Sequence, residues 1–202
     1  MVAASARISI EAGEAQLYRY PAVLLPAAIV IFGDKVNEGQ LIEGVAVPWF
    51  EILRELDRNP KFLFQIDWRQ FEEFLAGAYE RAGWPEVILT PRSGDGGRDI
   101  IATKPGIGSI RIFDQAKAYK PGHLVTADEV RAMLGVLQVH PNVSKGIITT
   151  TSRFAPGVDQ EFQAFMPYRL ELKNGEQLLS WLAALQSAAL PSDRRPISDE
   201  TL

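Results

Sequence analysis

The sequence predicts an α/β domain over residues 66–190, preceded by a small β-rich region over residues 1–65. One observation is the order of the predicted elements: a helix, three strands, and then three helices separated by single strands. Such alternation is typical of a sheet flanked by helices. The other observation is the strand-like composition of the chain up to about residue 46. The polar, proline-broken tail, residues 191–202, is predicted to be disordered.

The first predicted helices are marked by their boundaries and periodicity. PWFEILRELDRNP, residues 48–60, predicts a short amphipathic helix that starts at its first proline and ends before its second. KFLFQID then leads into WRQFEEFLAGAYERAG, residues 68–83, in which apolar side chains recur at helical spacing. Gly83 supplies the stop. Trp68, at the start of this helix, is predicted to pack in the core or against a neighbouring helix.

The remaining elements alternate. The turn PGIGS joins RDIIATK and IRIFDQAK, so these two segments are predicted to form an antiparallel hairpin. Thr126 and Glu129 form a T-x-x-E capping box ahead of the next helix. The predicted segments in order are the strands EVILT, RDIIATK and IRIFDQAK, the helix ADEVRAMLGVLQVH, the strand SKGIITTT, the helix APGVDQEFQAF, the strand YRLELK and the helix NGEQLLSWLAALQSA.

Composition and charge restrict the classes of function. The chain has no cysteine, which excludes thiolate metal sites and disulfides and suits a cytoplasmic protein. No signal peptide is predicted, because MVAASARISIEAGEAQ lacks a basic region followed by an apolar core. No membrane span is predicted, because AVLLPAAIVIF, the most apolar stretch, is too short and contains proline. The net charge is −4, but nine basic and five acidic side chains lie between residues 88 and 153. This local excess suits a polyanionic partner, although a solvated mixed-charge surface explains it equally well.

One end of the predicted hairpin gathers polar side chains. Alternation along a strand places Gln115 and Lys117 on the same face. Counting outward from the centre of the turn places Asp99 opposite Gln115. A carboxylate, an amide and an amine then share one end of the sheet. A hard cation such as Mg²⁺ accepts the first two as oxygen ligands, with the carbonyl of Ala116 as a third. The alternative is a hairpin whose exposed end is merely polar.

An ordered set of segments from Arg58 to Leu182 resembles the catalytic domain of the Mrr-like restriction endonucleases, a branch of the PD-(D/E)XK nuclease superfamily. The segments include FEEFLAGAYERAGW, LTPRSGDGGRDIIA, DQAKAYKPGHLVTADEVRAMLGVLQ, GIITTTSRFAPGV and LELKNGEQLLSWL. The resemblance implies a restriction-endonuclease-like core, a central mixed sheet flanked by helices. It also implies four catalytic positions: Glu72, Asp99, Gln115 and Lys117.

The sequence departs from the commoner family pattern at Gln115, where many relatives have glutamate and some Mrr-type members have glutamine. Losing this carboxylate removes one negative charge from the metal site and should weaken cation affinity. Glu72 would restore part of that charge, whereas Asp114 should face the opposite side of its strand. Four further side chains near the motif loops are candidates for DNA contacts, with ordinary surface roles equally open: Arg92, Lys120, Thr150 and Arg153.

The favoured function is a metal-dependent DNA endonuclease that uses Mg²⁺, with Mn²⁺ expected to substitute, in the restriction of foreign or modified DNA. Its partner would be double-stranded DNA, and a homodimer would bring two active sites together. The alternative is a catalytically weakened DNA-binding module of the same fold, which Gln115 keeps open. A small-molecule phosphate enzyme is a more distant hypothesis, because the sequence lacks the G-x-x-x-x-G-K-[ST] and G-x-G-x-x-G patterns.

Overall fold

A computed structural model describes residues 28–91 and 96–189. The strands expected before residue 28, the expected disorder of residues 191–202 and the candidate DNA contact Arg92 lie outside the described residues. In the described part of the chain, no helix is long and apolar enough to cross a membrane.

The described residues form nine strands and five α-helices. In chain order the strands are β1 (Val30–Val36), β2 (Gly39–Val45), β3 (Glu86–Leu89), β4 (Ile100–Lys104), β5 (Ile110–Lys117), β6 (Leu124–Val125), β7 (Lys145–Thr150), β8 (Arg153–Phe154) and β9 (Leu170–Lys173). The helices are α1 (Val47–Arg58), α2 (Trp68–Arg81), α3 (Ala127–Val139), α4 (Val158–Glu161) and α5 (Gly175–Ala189). Two 3₁₀ turns cover Pro60–Gln65 and Gln163–Phe165.

A seven-stranded mixed sheet forms the centre of the fold, in the order β1-β2-β3-β4-β5-β7-β9. The pairs from β1 to β5 are antiparallel, whereas β5, β7 and β9 are parallel to one another. The parallel connections each need a crossover, which α3 and the segment containing α4 provide. Strands β6 and β8 pair in parallel as a separate two-stranded sheet. The expected mixed sheet flanked by helices is therefore confirmed.

Two apolar layers cover the sheet, one on each face. On the first face, α1, α2 and α5 pack against strand residues such as Ile100, Ala102 and Ile112. On the second face, α3 and α4 pack against Ile101 and Phe113, which alternate with the first set along the same strands. Every strand that carries a candidate catalytic residue is thus held from both sides, which fixes the direction of its polar side chains.

The N-terminal hairpin β1–β2 belongs to the same sheet, because Gln40 and Leu41 pair with Leu89 and Ile88 of β3. Helix α1 follows directly and buries Trp49, whose indole N–H donates to the carbonyl of Phe74 in α2 at 2.9 Å. The division of the chain at residue 65 stays a prediction.

Several local expectations are confirmed and others are wrong. The predicted strand IRIFDQAK matches β5 residue for residue, and the capping box at the start of α3 is present. The helix predicted for APGVDQEFQAF is wrong in length: it contains only the four residues of α4 before a 3₁₀ turn. Its N-cap is Gly157 at φ 86°, so the preceding proline lies outside the helix. Trp68 is half exposed, because it opens α2 at the edge of the core.

Candidate active site

The hairpin formed by β4 and β5 determines the site. Ile100 pairs with Asp114, and the same antiparallel register sets Asp99 across from Gln115. The Asp99 amide donates to the Asp114 carbonyl at 3.0 Å. Its carboxylate oxygen Oδ2 accepts a hydrogen bond of 2.7 Å from the amide of Ala116. The carboxylate is therefore tied to the residue between Gln115 and Lys117.

Gln115 and Lys117 lie on the second face of the sheet, which α3 covers. Phe113, two residues earlier, packs in the apolar layer of that face, so alternation gives Gln115 and Lys117 the same direction. Asp114 points the other way, as expected. The three candidate groups Asp99, Gln115 and Lys117 are therefore brought to one end of two neighbouring strands.

The glycine loop before Asp99 approaches Gln115 closely. Gly97 has φ 78°, a left-handed conformation that glycine adopts without strain. A Cβ atom at this position would lie 3.3 Å from Val136 of α3 and 3.9 Å from the side-chain nitrogen of Gln115. Because the loop has no side chain here, its backbone fits between Gln115 and α3.

Lys117 is anchored at both ends. Its carbonyl accepts hydrogen bonds from the hydroxyl of Thr150 at 3.0 Å and from the amide of Thr151 at 3.1 Å. Its ammonium group lies 3.5 Å from Glu129 on α3. The sequence patterns identified Glu129 only as part of a helix cap. Glu129 lies in the first turn of the helix that follows β5 and packs on the same face as Lys117. That position is the signal that could have revealed its contact with Lys117.

Glu72 lies at the same end of the sheet but on the layer of α2. Its side chain is 6% exposed, and one oxygen accepts a hydrogen bond of 2.7 Å from Arg69. Arg69 also contacts the carbonyl of Thr90, at 3.3 Å, and the amide of Thr90 donates to the Asp99 carbonyl. The neighbouring Glu73 is more exposed than Glu72.

A buried polar link joins the back of the site to α2. Asp114 is fully buried and accepts hydrogen bonds from Tyr79 at 2.7 Å and from Thr149 at 2.8 Å. Burial raises the pKa of Asp114, and the charge of Lys173 and the two hydrogen bonds lower it without cancelling that effect. Burial and the neighbouring Asp114 raise the pKa of Tyr79, which therefore stays a hydroxyl donor.

The candidate DNA contacts lie in different surroundings. Lys120 is exposed in the turn after β5, and Arg153 is exposed and forms an ion pair of 2.5 Å with Glu176. Thr150 is fully buried, with its hydroxyl bound to the Lys117 carbonyl. A supporting role for Thr150 therefore fits its surroundings better than a contact with DNA.

The donor groups suit a hard cation bound by few protein ligands. Within residues 28–91 and 96–189, no three histidine or acidic side chains converge as a metal cluster. A site built from the Asp99 carboxylate, the Gln115 amide oxygen and the Ala116 carbonyl needs no such cluster. All three donors are oxygens, which is what Mg²⁺ prefers when it keeps several waters.

The family model of the Mrr catalytic domain, described as a restriction endonuclease, matches residues 63–182. This match covers more than half of the chain, so the chain belongs to this family of restriction endonuclease domains. Membership confirms the expected restriction-endonuclease-like fold. The four expected catalytic positions all fall inside the matched range.

Individual relatives are distant. An uncharacterized protein of Sinorhizobium fredii (strain NBRC 101917 / NGR234), y4cE, is 24% identical over 131 residues, or 64% of this chain and 33% of that protein. The DNA modification-dependent restriction endonuclease AspBHI is 20% identical with a TM-score of 0.41, covering 72% of this chain and 41% of the other. The MspJI restriction endonuclease, solved with a 27-mer oligonucleotide, is 19% identical with a TM-score of 0.39, covering 69% and 34%. The chain spans about a third of the curated relative.

Proposed function

We propose that this chain is a metal-dependent endonuclease that hydrolyses phosphodiester bonds in double-stranded DNA. Its membership of a restriction endonuclease family supports DNA cleavage as the reaction class. The single observation that carries the proposal is the placement of Asp99 across from Gln115, with Lys117 two residues further along the same face.

The Asp99 carboxylate, the Gln115 amide oxygen and the Ala116 carbonyl are the groups that would hold Mg²⁺, with Mn²⁺ able to substitute. When bound, the cation would supply Lewis-acid polarisation of the scissile phosphate. The hydrogen bond from the Ala116 amide orients the Asp99 carboxylate before any ligand arrives. Glu72, fixed by Arg69, contributes negative charge at the same end of the sheet.

Lys117 is the residue that would act on the reacting groups. Its ammonium would orient the attacking water and stabilise the negative charge that builds on the phosphate oxygens. Because such stabilisation depends on position, the anchoring of this residue through its carbonyl and through Glu129 supports the assignment.

DNA contacts are proposed for Lys120 and Arg153, which present positive charge on the exposed surface that follows β5 and β7. Arg92, seven residues before Asp99 in the sequence, is proposed for the same role. Contacts of this kind go to phosphates, so they position the duplex without reading its sequence. Binding should weaken as the salt concentration rises.

Cleavage of supercoiled plasmid tests the proposal. Wild type with Mg²⁺ or Mn²⁺ is expected to nick or linearise the plasmid, and chelation should abolish the activity. Asp99→Ala and Lys117→Ala should each lower the rate by about a hundredfold or more, as loss of a transition-state contact does. Lys104→Ala, at the other end of β4, is the matched control. Equal cleavage by all four proteins would contradict the proposal.

A catalytically weakened DNA-binding module is the second candidate, and Gln115 favours it because an amide brings no charge to the cation. Salt-sensitive DNA binding without metal-dependent cleavage by the wild-type protein would support this alternative. If Gln115→Glu gains cleavage activity, then the other candidate catalytic groups, Asp99, Lys117 and Glu72, are able to support cleavage once the carboxylate is restored.

The biological role that fits the nuclease is restriction of foreign or modified DNA in the cytoplasm. A homodimer would place two centres on one duplex, since each chain supplies one set of the candidate catalytic groups. Light scattering in the presence and absence of DNA tests the dimer. A chain that stays monomeric on DNA while making double-strand breaks would contradict it.

A further inference from the structure

We propose that Glu129 is a positioning residue of the catalytic centre, which holds the ammonium group of Lys117 in place while Tyr119 holds Glu129. This inference rests on the proposed function, because it assigns a role relative to the catalytic lysine. Glu129 belongs to α3 and is not one of the family motif positions Asp99, Gln115 and Lys117, which lie directly before β4 and on β5.

The two oxygens of Glu129 are used differently. Oxygen Oε2 accepts hydrogen bonds from the amide of Thr126 at 2.8 Å and from its hydroxyl at 3.0 Å, which closes the cap of α3. Oxygen Oε1 accepts a hydrogen bond from the hydroxyl of Tyr119 and lies 3.5 Å from Nζ of Lys117. One half of the carboxylate is thus fixed by the helix and the other half is presented to the end of β5.

The contact is partly withdrawn from water. The side chains of Lys117 and Glu129 are 21% and 22% exposed, so solvent screens this pair less than a fully exposed one. Burial acts to raise the pKa of Glu129, but hydrogen bonds from Thr126 and Tyr119 and the charge of Lys117 outweigh it and lower that pKa. The carboxylate is therefore charged at neutral pH.

A lysine needs such an anchor. Its long side chain loses considerable rotamer entropy when it is held in one conformation, and an ammonium group has no fixed donor geometry of its own. Gln115, on the same face of β5, is neutral and offers no countercharge. The carboxylate of Glu129 supplies that countercharge from the opposing helix.

Tyr119 completes the arrangement from the other side. Its ring stacks on His123 with centroids 4.0 Å apart and planes 20° apart, which restrains the ring that donates to Glu129. Burial and Glu129 raise the pKa of Tyr119, so its hydroxyl keeps the proton that it donates. Tyr119, two residues after the end of β5, therefore holds the Glu129 carboxylate that contacts Lys117.

The closing experiment separates positioning from helix capping. Glu129→Gln keeps a capping-box side chain, because glutamine serves at this position as well as glutamate, but removes the charge. It is expected to lower the rate at saturating DNA about tenfold with DNA affinity unchanged within twofold. Glu129→Asp, which restores the charge on a shorter arm, should recover part of the rate. Asn174→Ala removes the cap of α5 and should lower the melting temperature without lowering the rate.

A second readout needs no cleavage. Limited acetylation followed by mass spectrometry measures the reactivity of Lys117 relative to Lys104. Glu129→Gln should raise the Lys117 reactivity severalfold, whereas Asn174→Ala should leave it unchanged. If the wild-type protein does not cleave DNA, only the proposed function is contradicted. The labelling experiment still tests the contact between Lys117 and Glu129. Unchanged Lys117 labelling in Glu129→Gln, or a wild-type cleavage rate in that variant, would overturn the positioning role.

Discussion

At the scale of single residues, the molecule separates neighbouring side chains of one strand into different chemical roles. Gln115 and Lys117 face α3 and the glycine loop, whereas Asp114, the residue directly before Gln115, is buried against α2. The side chain of Asp114 therefore cannot replace the carboxylate that Gln115 lacks. Among the three proposed metal ligands, Asp99, Gln115 and Ala116, Asp99 is then the one that brings a carboxylate.

Gln115→Glu should lower the concentration of Mg²⁺ that gives half-maximal cleavage by about tenfold, because cation affinity rises with the charge of the ligands. The measurement is a metal titration of plasmid cleavage. Gln138→Glu, which adds the same charge on the exposed side of α3, should leave the titration unchanged. If Gln115→Glu requires the same Mg²⁺ concentration as wild type for half-maximal cleavage, the side chain of residue 115 does not bind the cation.

Asp114→Asn should make the free energy of unfolding less dependent on pH. The folded pKa of Asp114 lies above its ordinary value of 3.8, so the folded state binds the proton more tightly than the unfolded state does. Wild type therefore loses stability as pH rises from 3.8 through the folded pKa, and a neutral side chain removes this loss. Urea denaturation at several pH values, with the exposed Asp34→Asn as control, measures it. Parallel pH profiles of wild type and Asp114→Asn would contradict the raised pKa.

At the scale of elements, close packing between α1 and α2 fixes the position of α2, the helix that carries Glu72 and Tyr79. Gly77 of α2 faces α1, and a Cβ atom there would lie 2.7 Å from the indole nitrogen of Trp49 and 2.8 Å from Val45. The helix that carries Glu72 and Tyr79 therefore rests on the hairpin and helix that precede it. Glycine is required here for space, although it is a poor helix former.

Gly77→Ala should destabilise the protein by a net amount of up to about 2 kcal/mol. Forcing an extra methyl group into a packed core costs about 1–3 kcal/mol, and the better helix propensity of alanine offsets about 1 kcal/mol of that cost. Chemical denaturation measures the change, and Gly135→Ala is the matched control because nothing surrounds its added Cβ. Equal stabilisation of both variants would contradict the close approach of α1 to α2.

Sequence patterns predicted the elements that local rules determine. The sequence predicts strand β5 to the residue, because the turn PGIGS marks its start, and alternation along the strand then places Gln115 and Lys117 on one face. The turn centre likewise placed Asp99 across from Gln115. Strand β2 lies in the β-rich region expected up to about residue 46, but its own bounds are not predicted because glycines interrupt it. The small sheet of β6 and β8 is not predicted, because two-residue strands carry no periodic signal. The contact between Lys117 and Glu129 depends on how α3 docks on the sheet, which local patterns do not specify.

At the scale of the whole molecule, the sheet brings the parts of the site together from distant segments of the chain. The antiparallel half supplies Asp99 and Gln115, the parallel half supplies the threonines that support Lys117, and α3 supplies Glu129. The N-terminal hairpin extends the same sheet. The catalytic proposal therefore depends on the packing of both layers and not on one motif alone.

A crystal soaked in Mn²⁺, with anomalous diffraction to locate the ion, tests the central claim most directly. We expect one peak about 2.0–2.2 Å from oxygens of Asp99 and Gln115, the spacing of a small hard cation, and no such peak in Asp99→Ala. An ion bound elsewhere in a crystal of active protein, with none between these two side chains, would contradict the assignment of the metal site.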